Sequence, residues 1–205
     1  SGGGAFSDPT SVWDMAATPD GSRFVAVEAG GTLRVWDMPE MRERTISLQP
    51  GLRFVSIALS ADGSRAAIGD SDGTLRLIDL AGLHEVEMVK TEVDTAGSVS
   101  WSPDGRLLLT IDPDMFPNTG QPAVARSWRM SEGVQETIFS ASSRGTYRAH
   151  WPRKDRVSLG NISGFALFDT LGGKALFGRQ ATSGESYGPV FSPDGKRMAT
   201  ASANG

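Results

Sequence analysis

The chain of 205 residues contains no cysteine. Disulfide bonds, thiolate nucleophiles and cysteine-ligated zinc are therefore excluded, and with them the small secreted scaffolds that disulfides hold together. No apolar run approaches the roughly 20 residues of a membrane-spanning helix. The first ten residues, SGGGAFSDPT, lack the charged start and apolar middle of a signal peptide. We therefore predict a cytoplasmic protein that does not bind membranes.

Strong charge of either sign is also missing. The formal net charge is −4 and the pI is about 5.2, so no basic field indicates nucleic-acid binding. The chain has no Gly-x-Ser-x-Gly nucleophile elbow, and its Gly2–Gly4 run precedes no strand and helix that would make a phosphate loop. The sequence predicts no catalytic residue, no metal ligand and no cofactor.

Glycine, by contrast, is abundant, and the aspartate–glycine turns recur at a fixed spacing. The turn PDG at Asp20 returns as ADG at Asp62 and as PDG at Asp104 and Asp194, with gaps of 42, 42 and 90 residues, the last of which leaves room for two repeats. A second marker follows the same period. It is a large apolar residue before a polar one, in the pairs Trp36-Asp37, Ile78-Asp79, Trp128-Arg129 and Phe168-Asp169. Two markers in step indicate a true internal repeat.

Each repeat contains four short runs of β-branched or apolar residues, bounded by turn residues. No segment sustains the 3.6-residue apolar period of a helix. Four antiparallel strands every 40 to 45 residues are typical of a β-propeller blade. A single blade cannot bury both of its faces, so neighbouring blades must stack.

The SPDG turn, together with the strands GTLRVWD and DGTLRLID, resembles the WD40-repeat family over about residues 11–205. The resemblance implies an all-β propeller that binds proteins or peptides on its loops without catalysing a reaction. The repeats are degenerate and similar to bacterial ones. The family's Gly-His pair is missing from every repeat, and the histidines of this chain, His84 and His150, lie elsewhere. The buried Asp-His-Ser/Thr-Trp network of typical members is therefore not expected.

The spacing predicts one propeller domain over residues 11–205, preceded by a leader or linker at residues 1–10. Four complete blades are predicted at about 11–47, 53–89, 97–139 and 146–179, with a partial fifth at 187–205. Gly205 aligns with the turn glycine that precedes a third strand. We therefore expect either a piece of a longer propeller or copies that complete one another through open blade edges, with a stable open arc as the alternative.

The repeated residues are interpreted as structural. Trp36, Trp128 and Phe168 share one position and are predicted to pack between blades. The aspartates that follow at the same position, such as Asp37, are expected to bond backbone groups at the strand end. The turn aspartates are expected to favour hairpins. His150 is interpreted as a packed side chain, and His84 as part of an exposed outer strand.

Eight extra residues enter the third repeat within Ile111–Pro122. They are open to three interpretations: a tolerated insertion, a recognition loop that carries Met115 and Phe116 into solvent, or a weak calcium loop built on Asp112, Asp114 and Asn118. The calcium interpretation is the least favoured, because the glycine and the distal glutamate of such a loop are missing.

In the propeller fold, this long loop shares one face of the blades with the loops that join fourth to first strands. Tryptophan, tyrosine and arginine are common interface anchors. The predicted partner-binding residues on this face are Trp13, Arg53, Met115, Phe116, Tyr147, Arg148 and Tyr187. The favoured function is a non-catalytic interaction scaffold. The alternatives are a sensor propeller of a longer signalling protein and, least favoured, a propeller hydrolase.

Overall fold

The computed structural model describes residues 11–18, 20–48, 53–91, 96–112, 123–132, 134–141, 146–161, 164–180, 186–192 and 194–202. These residues form antiparallel sheets, and within each sheet the strands pair in the order in which they follow along the chain. The chain divides into two compact units, residues 1–96 and 97–205. None of the helices in the described residues is long and apolar enough to cross a membrane.

The first unit holds two four-stranded sheets. Blade 1 comprises β1 (Val12–Ala17), β2 (Arg23–Glu28), β3 (Thr32–Asp37) and β4 (Arg42–Ser47). Blade 2 comprises β5 (Phe54–Leu59), β6 (Arg65–Asp70), β7 (Thr74–Asp79) and β8 (His84–Lys90).

The second unit holds two further four-stranded sheets and one strand pair. Blade 3 comprises β9 (Ser98–Trp101), β10 (Leu107–Asp112), β11 (Ala123–Arg129) and β12 (Val134–Ala141), with a single 3₁₀ turn at Met130–Glu132. Blade 4 comprises β13 (Thr146–Arg153), β14 (Arg156–Asn161), β15 (Gly164–Asp169) and β16 (Ala175–Gln180). Blade 5 comprises β17 (Ser186–Phe191) and β18 (Met198–Ser202). The predicted fold class, four complete blades of propeller type and a truncated fifth, is confirmed.

The turns between first and second strands form because aspartate and glycine suit a tight reversal. Gly63 adopts a φ of +66°, which a residue without a β-carbon reaches at little cost. The Asp62 carboxylate accepts hydrogen bonds from the Ser60 hydroxyl at 2.6 Å and from the Ser64 amide at 3.0 Å. The same arrangement recurs around Asp104 and Asp194. The serine, aspartate and glycine of the turn thus fix these hairpins locally.

Blades 1 and 2 pack face to face within the first unit. Successive side chains of a strand point to opposite faces of its sheet, so each blade has two faces. We call the face of each blade that carries the residues equivalent to Phe24 the front face, and the opposite one the back face. The back face of blade 1 and the front face of blade 2 form one buried cluster of Val25, Val27, Leu33, Val35, Phe54, Ile57, Ala66, Ile68, Ile78 and Leu80.

Blades 3 and 4 pack in the same way within the second unit. Their shared cluster consists of Leu109, Ile111, Ala125, Ala149, Trp151, Val157, Leu159 and Phe168. Polar side chains of the first strands tie both pairs of blades together. Asp14 accepts a hydrogen bond from the Ile57 amide at 3.0 Å, and Ser98 accepts one from the Ala149 amide at 3.2 Å. The stacking of the two pairs therefore shares one apolar contact and one hydrogen bond at equivalent positions.

The repeated aromatic position has two outcomes. Trp128 and Phe168 are buried, as the packing interpretation predicts, and the Trp128 indole donates to the Thr110 hydroxyl at 2.9 Å. Trp36 is only partly buried and borders an open pocket instead. The aspartate that follows also varies, because Asp169 accepts backbone hydrogen bonds whereas Asp37 pairs with the Arg23 and Arg44 guanidinium groups. Each of these two repeat positions therefore has different roles in different blades.

Candidate protein-interaction surface

The loops predicted to share one face of the blades do meet in the first unit. The Ser71 amide, in the turn between β6 and β7, donates to the Arg53 carbonyl just before β5 at 2.8 Å. The equivalent bond in blade 1 joins the Ala29 amide to the Ser11 carbonyl at 2.9 Å. The starts of first strands and the turns between second and third strands therefore lie at one end of each blade. We call this end the loop face.

Two of the predicted aromatic residues occupy equivalent backbone positions on the loop face. Trp13 lies where the pairing of β1 with β2 slips by one residue, between Val12 and Asp14. Tyr147 lies at the corresponding slip between Thr146 and Arg148 in blade 4. An extra residue of this kind is a β-bulge, which redirects a side chain and is frequent beside functional sites. Trp13 is 37% exposed there.

Two predicted arginines are exposed at the same end of their blades. Arg53 directly precedes β5, and Arg148 is the third residue of β13. Burial lowers the pKa of the neighbouring His150, and the Arg148 charge lowers it further. His150 is packed beside Phe191, with ring centroids 6.4 Å apart. The pair Arg148–His150 thus combines an exposed permanent cation with a packed imidazole whose charged form is disfavoured.

The other predicted anchors are only partly described. Met115 and Phe116, together with Asp114 and Asn118 of the calcium interpretation, lie outside the described residues. Tyr187 belongs to β17 and pairs in register with Ala201. The loop interpretations and the seven-residue binding face therefore stay predictions.

A carboxylate cluster on the loop face was missed by the sequence reasoning. Asp70, at the end of β6, is fully buried and accepts hydrogen bonds from the Thr74 amide at 2.8 Å and from the Arg76 Nε at 3.2 Å. Asp72 follows in the turn and accepts a bond from the Thr74 hydroxyl at 2.6 Å. The DSDGT segment at residues 70–74 is the signal that marks this cluster, because both carboxylates flank a tight turn.

The two carboxylates differ in acidity. Burial raises the pKa of Asp70 to about 6, and the adjacent Asp72 adds to the increase. The hydrogen bond with Asp70 is the main factor that lowers the pKa of Asp72 well below its usual range. Among the described residues, no group of three or more histidine, aspartate or glutamate side chains is placed to hold a metal ion. The cluster is therefore understood as a buried polar network around Arg76.

The front face of blade 1 is a second exposed surface. It carries an apolar pocket of about 320 Å³, lined mainly by Val12, Met15, Phe24, Trp36, Met38 and Met41. Met15 is 64% exposed. Scattered exposed apolar side chains are ordinary, but a contiguous group of large ones marks a contact surface. Methionine and tryptophan are well suited to such a role because they adapt or bury large areas.

Comparison with known proteins adds three findings. A family model for the WD40 repeat, described as "WD domain, G-beta repeat", matches residues 4–37. No curated protein sequence matches the chain. Among solved structures, the chain is similar to Kuenenia stuttgartiensis hydrazine synthase, at 16% sequence identity and with a TM-score of 0.78. That superposition covers 97% of this chain and 57% of the other, so the chain spans little more than half of that protein's length.

The match over residues 4–37 confirms the WD40 resemblance that the sequence predicts. It includes the Trp36-Asp37 pair that carries the resemblance. The likeness to hydrazine synthase, at 16% identity, shows the fold alone. WD40 domains generally mediate contacts between proteins, and the match together with the propeller-type fold supports an interaction propeller in general terms.

Proposed function

We propose that this protein is a non-catalytic interaction scaffold of WD40 type that binds a protein or peptide partner on its loop face. The observation that supports the proposal is that Trp13, Arg53 and Arg148 are exposed where the first strands of their blades begin, and that the Tyr147 backbone lies at the same kind of β-bulge as Trp13. A rigid sheet that presents aromatic and arginine side chains at one end is suited to anchor a partner. The insertion with Met115 and Phe116 would extend that surface.

The proposal is tested with peptides selected from a displayed library on the wild-type protein. Trp13→Ala and Arg148→Ala should each weaken binding of the selected peptides by tenfold or more, because interface anchors contribute at least about 1.4 kcal/mol. Phe116→Ala tests the insertion in the same way. Arg106→Ala is the matched control, because Arg106 is exposed in a turn at the opposite end of blade 3.

Unchanged binding by all three loop-face variants would refute this part of the proposal. An equal loss with Arg106→Ala would show that charge in general, and not the loop face, captures the peptide. Thermal unfolding of each variant separates the two kinds of effect, since an anchor at the surface should leave the melting temperature unchanged. The absence of catalysis is tested by a general hydrolase screen, and the cytoplasmic location by cell fractionation.

Self-association through open blade edges is a further part of the proposal. Its support is that each described sheet ends in strands that are paired on one side only. Light scattering over a dilution series tests it, and a strict monomer at every concentration would refute it.

A further inference from the structure

The hairpin that joins β13 to β14 departs from the turn pattern of the other blades. Blades 1, 2, 3 and 5 have an aspartate and a glycine in this turn, whereas blade 4 has the segment PRKDR at residues 152–156. Arg153 pairs in register with Arg156, so Lys154 and Asp155 alone form the reversal. The segment contains three basic residues, and the equivalent segments of the other blades contain one or two. The reversal therefore forms without the serine–aspartate hydrogen bonds of the other turns, and its basic character belongs to blade 4.

These basic side chains are exposed although blade 4 has a neighbour on both sides. Its first strand contacts both β9 of blade 3 and β17 of blade 5. Arg153 and Lys154 are exposed, and so is Lys174, which precedes β16. The Arg156 side chain is 40% exposed and, like Arg153, pairs with Asp155. We call Arg153, Lys154, Arg156 and Lys174 the basic patch.

The two turns that carry the basic patch are held together at the end of blade 4 opposite the loop face. The Thr170 hydroxyl, in the turn between β15 and β16, donates to the Lys154 carbonyl at 3.0 Å. These turns, residues 152–156 and 169–174, hold four cations and two aspartates, a formal charge of +2. The equivalent turns of blades 1, 2 and 3 have formal charges of −1, −1 and 0, at residues 19–23 with 37–42, 61–65 with 79–84, and 103–107 with 129–133. Blade 4 thus has a positive end in a chain whose net charge is −4.

The same end of blade 4 exposes a leucine in a fixed turn. Leu171 is 99% exposed. The Asp169 carboxylate accepts hydrogen bonds from the Leu171 and Gly172 amides at 3.1 and 2.8 Å, which stabilise this turn. In the equivalent turn of blade 2, Leu80 is fully buried and Leu83 packs against the cluster shared with blade 1. The exposure of Leu171 is therefore a feature of blade 4 and not of the repeat.

We propose that the basic patch and Leu171 bind an acidic segment of a protein partner, with Leu171 in contact with an apolar side chain of that segment. Lysine and arginine form charge-assisted hydrogen bonds with carboxylates, and a local positive charge steers an acidic peptide to this end of an otherwise acidic protein. Asp155 and Asp169 lie among the cations and would repel a uniformly anionic surface such as a lipid bilayer. A peptide can space its carboxylates between them. The surface is separate from the loop face and goes beyond the function proposed above.

The test measures binding of a fluorescent peptide of repeated Glu-Glu-Leu units by anisotropy. Lys154→Glu and Lys174→Glu should each weaken binding by about fivefold or more, because reversal replaces attraction by repulsion. Arg42→Glu is the matched control, since it changes the net charge equally and Arg42 is exposed at the corresponding end of blade 1. Added salt should weaken binding by the wild type. Melting temperatures should stay unchanged, since all three side chains are exposed.

Leu171 has its own readout. Leu171→Ser should weaken binding of the Glu-Glu-Leu peptide and leave the weaker binding of a Glu-Glu-Ser peptide unchanged. A peptide of Gln-Gln-Leu units should bind neither protein. An equal loss of both acidic peptides in Leu171→Ser would show that the leucine does not contact the apolar side chain of the peptide.

The other outcomes are equally distinct. No binding of the Glu-Glu-Leu peptide by the wild type would overturn the inference, and so would an equal loss with Arg42→Glu. Binding of phosphatidylserine vesicles without binding of the peptide would assign the basic patch to a lipid surface instead. Trp13→Ala and Arg148→Ala should leave binding of the acidic peptide unchanged. A loss in either variant would place the acidic peptide on the loop face, so the two proposals fail separately.

Discussion

Blades 1 and 2 are two copies of one pattern, 42 residues apart, in different surroundings. The clearest case is a group of three charges on their front faces. In blade 1, Glu28 and Glu43 flank Arg34, and in blade 2, Asp70 and Glu85 flank Arg76 at the same register positions. The Arg34 side chain is 33% exposed, whereas the Arg76 side chain is 6% exposed.

The two charged groups differ in exposure because of the blade that packs against them and not because of their sequence pattern. The back face of blade 1 covers the front face of blade 2, and no described residue covers the front face of blade 1 to the same extent. The arginine of the group is thus partly solvated in blade 1, where Glu28 is buried but Arg34 is not, whereas both Arg76 and Asp70 are buried in blade 2. Equivalent substitutions in the two blades should therefore have very different energetic consequences.

The largest effect is expected for the apolar pair Phe54 and Val12. Phe54→Ala should destabilise the protein by about 3–5 kcal/mol, because a fully buried ring leaves a cavity. Val12→Ala should cost less than about 1 kcal/mol, since Val12 is already 48% exposed. Urea unfolding at high dilution, below the concentration of any assembly, measures both. Similar losses would show that the blade 1 face is covered even in the monomer.

The next largest difference in stability is expected between substitutions of the equivalent arginines Arg76 and Arg34. Arg76→Met leaves Asp70 buried without its cation and should cost roughly 3 kcal/mol at neutral pH. Arg34→Met should cost less, roughly 1–2 kcal/mol, because Arg34 and Glu43 are partly solvated although Glu28 is buried. Unfolding at pH 5 sharpens the comparison, because protonation of Asp70 should relieve much of the Arg76→Met penalty and change Arg34→Met little. A penalty that does not depend on pH would contradict the assigned role of Asp70.

Asp70 itself should make the free energy of unfolding decrease as the pH rises, which is opposite to the usual effect of an aspartate. Its pKa in the folded protein, about 6, lies above the ordinary aspartate value of 3.8, so the folded state favours the protonated form. This contribution is complete below about pH 4 and is lost as the pH rises through 6, on the order of 2 kcal/mol. Asp70→Asn should remove that slope from denaturation curves recorded between pH 4 and pH 7, and a slope that remains would assign it to another group.

The smallest difference between blades 1 and 2 is expected in the pKa values of their turn aspartates. Hydrogen bonds from Thr18 and Ser22 lower the pKa of Asp20 to about 2, and those from Ser60 and Ser64 do the same for Asp62. Both contributions are present above pH 4 and are lost as the pH falls through 2. Carboxyl titration by NMR should give nearly equal values for the two residues. A clear difference between the two pKa values would mean that the stacking of the blades affects the turns.

The repeat explains why so much of the fold follows from the sequence. The aspartate–glycine turns and the strand patterns are local, so Asp62 and Gly63 form the same hairpin that residues 20 and 21 form. The bulges at Trp13 and Tyr147 and the buried Asp70 could not be predicted, because they depend on pairing register and on what covers a strand. His150 is packed as predicted, because β13 contacts both β9 of blade 3 and β17 of blade 5.

The sequence by itself determined the number of strands, their hairpins and the order in which they pair, because each of these depends on residues close along the chain. Only the tertiary structure decided which copies of the pattern became core. Trp36 borders an open pocket and Trp128 is buried, although both end the same kind of strand. The physical reason is that a side chain becomes buried only where the faces of two blades meet, and the sequence of one strand specifies only one of those faces.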